Sequence, residues 1–121
     1  MVLDIQPQPL NSKVEVRRRD HTITMGYLDE AKFVSEVLDT REILDDAIDE
    51  GLFAYEGNTS FEFSYYFDTV DEWTTYMREH DFGDARADRA LIARTSSLLS
   101  QVRGEIVIRE PAGASMLRRL D

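Results

Sequence analysis

Polar and apolar positions change period along the chain, and each change marks an element. After a lead that contains Pro7 and Pro9, "KVEVRRRDHTITMGYL" runs with period two. Val14 and Val16 fall on one side of a first strand, and Ile23, Met25 and Tyr27 on one side of a second. The pattern predicts a hairpin turning at Arg19-Asp20-His21, with residues 1–12 as a frayed lead and 13–121 as one α+β domain. "DEAKFVSEVLDTREILDDAIDEG" then takes the helical period. Ala31, Val34 and Leu38 form one stripe, and Ile43, Leu44, Ala47 and Ile48 a stronger one. Asp39 followed by Glu42 has the spacing of a capping box, so a break or restart is expected near Asp39-Thr40, and Gly51 is placed to end the helix.

A second hairpin is expected from "LFAYEG" and "SFEFSYYFD", turning at Gly57-Asn58. In its later strand Phe61, Phe63, Tyr65 and Phe67 share one face, while Glu62, Ser64, Tyr66 and Asp68 share the wetter one. Thr69 and Glu72 make a T-x-x-E cap for a helix carrying Val70, Trp73, Tyr76 and Met77 on one side. "HDFGD" interrupts, and a helix from about Ala85 to Val102 has the clearest stripe: Leu91, Ile92, Thr95, Leu98, Leu99, Val102. "EIVIR" reads as a fifth strand that Pro111 closes. The period leaves "SMLRRLD" open between a short helix and an edge strand. The order ββ-αα-ββ-αα-β predicts an α+β fold, a mainly antiparallel sheet of about five strands with helices packed on one face. On that reading the four alternating rings are the sheet face beneath a helix.

Charge changes the picture of what the surface can meet. The chain of 121 residues has a net charge of −10, and residues 29–82 alone sum to −13. Such a field repels phosphate backbones and anionic lipid, so neither nucleic acid nor membrane is an expected partner. No apolar run approaches the roughly 18 residues of a membrane span, and there is no cysteine, so a reducing cytoplasm is the expected address.

Candidate chemistry is sparse. "DDAIDE" places Asp45 and Asp49 one turn apart, as in the DDxxD pattern that holds magnesium diphosphate. However, Glu42, Asp45, Asp46 and Asp49 read more simply as a solvated helix face that a protein partner can use. Glu62 and Asp68 sit on the wetter strand face, which does not raise a carboxyl pKa as acid catalysis requires. His21 and His80 lack ligand spacing, and the six glycines stand apart and build no phosphate cradle. No catalytic residue, cofactor or metal ligand is therefore assigned. Two binding features remain: a groove for a small apolar ligand lined by Tyr66, Trp73 and Tyr76, and an open sheet edge able to pair with a second copy.

The segments "VLDTREILDDAIDEGLFAYE", "FEFSYYFDTVDEWTTYM", "ALIARTSSLL" and "GEIVIREPAGASMLRRLD" resemble the C-terminal half of small class I S-adenosylmethionine-dependent methyltransferases, over residues 33–121. The resemblance implies a substrate-side piece without the glycine-rich cofactor turn, and no cofactor residue carries over. The expectation is thus a non-catalytic domain acting through a protein interface as a homodimer. The alternative is an accessory or degenerate methyltransferase piece that binds a small apolar substrate among aromatic rings.

Overall fold

The computed structural model describes residues 2–80 and 87–120, apart from the side chains of Val2, Lys32, Phe33 and His80. Among these residues five antiparallel strands form one sheet, accompanied by three α-helices, which is an α+β fold. The order is β1 (Val2–Pro7), β2 (Lys13–Arg17), β3 (Thr22–Tyr27), α1 (Ala31–Asp49), β4 (Phe53–Phe67), α2 (Val70–His80), α3 (Arg89–Gln101) and β5 (Glu105–Arg119). Of the expected interruption at residues 80–84, His80 is the last residue of α2 and the rest lies outside the described residues, as does the expected helix start at Ala85; α3 is described from Arg89.

β5 organises the sheet. β4 pairs along one of its edges from Phe53↔Arg119 to Phe67↔Ile106. On the other edge β2 pairs with residues 105–109 and β1 with residues 112–117, so β1 and β2 lie end to end; β3 adds outside β2. Several expectations are corrected here. The lead does not fray, because Val2–Pro7 is bonded to β5. Gly57-Asn58 is not a hairpin turn: β4 runs straight through it, with an irregularity at Glu56, because β5 supplies a continuous partner. Pro111 does not close β5 either. Its carbonyl accepts from Gln8 N at 2.9 Å, so the side on which it lacks an N–H faces the gap between β1 and β2, where no ladder bond is lost. Residues 115–119 therefore continue a strand paired on one or both edges.

Local chemistry accounts for the helix ends. α1 continues past Asp39 because the Thr40 hydroxyl donates to Glu36 O at 3.1 Å within the helix and needs no break to be satisfied. It ends at Gly51, φ +81°, with Gly51 N donating to Ile48 O and Leu52 N to Ala47 O, the Schellman pattern. α2 begins as its sequence says: Thr69 Oγ1 accepts from Glu72 N at 3.1 Å, and the Glu72 carboxylate reaches back to Asp68 N at 3.0 Å. Asp88 caps α3 by accepting from Leu91 N at 2.7 Å. α3 lies close over β3 at Gly26, where a Cβ would come within 3.1 Å of Leu91.

Alternation along β5 divides the sheet into two faces. Ile106, Ile108, Ala112, Ala114 and Met116 point to the front; Val107, Arg109, Gly113, Ser115 and Leu117 point to the back. α2 and α3 cover the front of the first half, where Trp73 and Leu91 join Val14, Leu28, Ile106 and Ile108 in the core. α1 lies against the other side. Its Leu44 and Ile48 border a groove of about 130 Å³ together with Asp4, Gln6, Ser60 and Ser115, all back-facing by register. The expected single covered face is thus met by α2 and α3 but not by α1. The stripe on α1 also shifts: Val37 is buried, whereas Leu38 and Ile43 are exposed.

Candidate functional site

Among the described residues, helices on opposite faces at opposite ends leave two parts of the sheet uncovered, and their chemistry differs. On the back of the first half, Glu15 is buried between Lys13 Nζ and Arg109 Nε, each at 3.0 Å. Arg109 also reaches Ser64 at 3.3 Å and Glu62 at 3.8 Å, while Arg17 pairs with Glu105 and lies 5.1 Å from the ring centre of Tyr66. The stems of these side chains keep Val107 from water while their charged ends stay wet. Burial pushes the Glu15 carboxyl up, but the hydrogen bonds and charges of Arg109 and Lys13 outweigh it and hold it below its ordinary value. That face is guarded by charge.

The front of the second half is not. Leu3 sits opposite Met116 and Ile5 opposite Ala114 across β1 and β5, and Phe61 and Phe63 continue the surface on β4. Exposure is 59 % for Leu3, 54 % for Ile5, 45 % for Phe63 and 41 % for Met116. Among the described residues no helix lies over them. The four alternating rings therefore separate: Tyr65 and Phe67 pack against Tyr76 of α2, with centroids at 6.3 and 5.3 Å, while Phe61 and Phe63 pack edge to face at 5.3 Å on the bare part.

Tyr66, Trp73 and Tyr76 do not form a common groove. Tyr66 points to the back, under Arg17; Trp73 is fully buried on the front, and it lines a recess of about 30 Å³ with Tyr76, Tyr65, Phe67, Glu30 and Glu110. Sequence reasoning missed the two acids. Glu30 precedes α1 and Glu110 sits at the junction of β1 and β2, so only the register of β5 brings them together. Glu30 is buried and accepts from Ser12 N; Glu110 accepts from Tyr65 Oη at 3.2 Å. Burial raises the Glu110 carboxyl above its ordinary range, Tyr65 lowers it and Glu30 raises it further. Burial, then Glu110, push the Tyr65 hydroxyl up to about 12. Trp73 Nε1 is buried and has no hydrogen-bond partner among the described residues.

The acidic face assigned to α1 is exposed at Glu42, Asp45, Asp46 and Asp49, with Asp45 also bordering the groove beside Arg41. Among the described residues no group of three or more His, Cys, Asp or Glu is spaced to hold a metal. Arg17, Arg18, Arg19 and Arg103 surround a shallow basic recess beside Gly104, at the far end of the molecule from the bare face. No described helix is long and apolar enough to cross a membrane. Comparison with family models, curated proteins and solved structures finds no match to this chain.

Proposed function

We propose that the chain is a non-catalytic cytoplasmic domain that works through a protein interface, as a homodimer joined front to front across the bare half of its sheet. One observation carries this reading: of the two uncovered parts of the sheet, one is closed off by an ion-pair network and the other presents Leu3, Ile5, Phe63 and Met116 to solvent. The largest contiguous apolar patch on a monomer's surface is often an interaction site. A second copy is the favoured occupant because the acidic residues of α1 lie against the opposite face. Two bare faces can then meet about a two-fold axis with the negative helices pointing outward.

Sedimentation analysis between about 1 and 200 μM tests it. Ile5→Lys and Met116→Lys should each leave the thermal transition nearly unchanged and shift the chain to monomer. A wild-type monomer across that range, or a dimer indifferent to both substitutions, rejects the reading. The second outcome would transfer the interface to an outer sheet edge, that of β3 or β4, which is unpaired among the described residues.

A second reading is favoured by the recess beside Trp73: a methyltransferase-like piece that takes a small apolar molecule among aromatic rings. It predicts that S-adenosylmethionine or a methyl-acceptor substrate raises the melting temperature. No shift from either rejects it.

A further inference from the structure

The recess beneath α2 combines features that a packed core does not need. Its lining holds two buried or half-buried carboxyls, Glu30 and Glu110, and four aromatic rings, Tyr65, Phe67, Trp73 and Tyr76. No lysine or arginine among the described residues contributes to it. Elsewhere in this molecule a buried acid is matched by cations: Glu15 has both Lys13 and Arg109. Here the known partners of the carboxyls are the Ser12 N–H and the Tyr65 hydroxyl, neither of which carries positive charge. Carboxylates without a counter-cation among the described residues, ringed by aromatic faces that also attract positive charge, form a receptacle for an organic cation and repel an anion.

Trp73 Nε1 narrows the class. The indole N–H only donates, and leaving it buried without an acceptor costs about 1–3 kcal/mol. An ammonium group cannot satisfy it. A ligand that answers the whole site carries a positive nitrogen for the carboxyls and an oxygen acceptor for the indole. The volume of about 30 Å³ is roughly twice what one water needs, so the inserted part is small.

We propose that this recess binds the head of a small amino alcohol, with its ammonium donating to Glu110 and Glu30 and its oxygen accepting from Trp73 Nε1. The proposal is independent of dimer formation, and it gives the recess a different occupant from the apolar molecule of the methyltransferase-like reading. It uses neither the bare sheet face nor S-adenosylmethionine.

Because Trp73 is the only tryptophan of the chain, its indole N–H gives one isolated NMR resonance and its emission reports one site. The test titrates the full chain with three matched molecules: ethanolamine, propylamine, which lacks the oxygen, and propan-1-ol, which lacks the charge. Ethanolamine should shift the indole resonance saturably, and the other two should bind at least tenfold more weakly. Glu110→Gln, which keeps an acceptor for Tyr65, should weaken ethanolamine at least tenfold without moving the thermal transition by more than a few degrees. Absence of a saturable shift up to tens of millimolar overturns the proposal, and is what a recess filled only by water gives. Equal affinity for ethanolamine and either analogue also overturns it. The ligand series on the unmodified chain decides the matter even if the variant folds poorly.

Discussion

At the scale of single residues the molecule places its buried charges in two contrasting settings. Glu15 is held by Arg109 and Lys13, while Glu110 is held by a neutral phenol and faces a second acid. The pH dependence of stability follows with opposite signs. The Glu15 carboxyl is lowered in the folded state, so its contribution is present above the ordinary value of 4.5 and is lost as pH falls through the lower, folded value. Glu110 is raised in the folded state. The protonated form is favoured there, so stability declines as pH climbs from 4.5 toward its raised value. Glu15→Gln should therefore cost about 1–3 kcal/mol at pH 7, with the deficit relative to wild type shrinking once pH drops below about 4.5. Urea unfolding of both proteins at pH 7 and near pH 3.5 measures it; a deficit that stays constant refutes the assignment. Much of this scale was legible. Val14 and Val16 are buried as their alternation requires, and Tyr66 lies on the side that its polar neighbours mark as wetter. The groove joining Tyr66 to Trp73 failed for a physical reason already in the pattern: a helix packs on the apolar side of a strand, so a ring on the wet side cannot reach beneath it. The Glu30–Glu110 recess was not legible, since its acids are eighty positions apart and meet only through strand register.

At the scale of elements, most local signals that concern one segment held, the break expected near Asp39-Thr40 excepted, and those overruled by a distant partner did not. The Thr69-x-x-Glu72 cap, the α3 stripe and the stop at Gly51 need only neighbouring backbone, and all three are found. Gly57-Asn58 and Pro111 carry turn and breaker signals that lose to a register of fourteen residue pairs between β4 and β5. Met25 shows the same effect on a smaller scale. It is the extra residue where the β2–β3 register shifts, so Tyr27 does not share the buried side with it. The Gly51 end gives a clean prediction. The residue has φ +81°, and the space that an added methyl group would take has no other atom within 4 Å, so Gly51→Ala introduces backbone strain without a clash. It should destabilise the protein by about 1 kcal/mol in a denaturant titration with an unchanged slope. Thr69→Ala should cost a similar amount through the lost cap. No loss in either variant would mean that tertiary packing, not these ends, sets the limits of α1 and α2.

At the scale of the whole molecule the distribution of charge separates two ways in which copies can associate. If the bare apolar face is the contact, the residues that meet are Leu3, Ile5, Phe63 and Met116, and no ion pair is gained. Each copy nevertheless brings a net charge of −10, so bringing two together is opposed by mutual repulsion. Salt screens that repulsion over a Debye length of about 10 Å at 0.1 M and hardly weakens hydrophobic burial. The dimer should therefore tighten several-fold between about 20 and 300 mM sodium chloride. Association through the opposite poles, with Arg17, Arg18, Arg19 and Arg103 of one copy against the acidic α1 of another, makes the reverse prediction. Its attractive pairs are screened, affinity falls with salt, and because such a contact is head to tail it continues into chains instead of stopping at two. Sedimentation velocity across that salt range reads both signatures at once. A dimer that strengthens with salt supports front-to-front packing; larger species that dissolve as salt rises would place the interface at the arginines and leave the bare sheet face without its proposed partner.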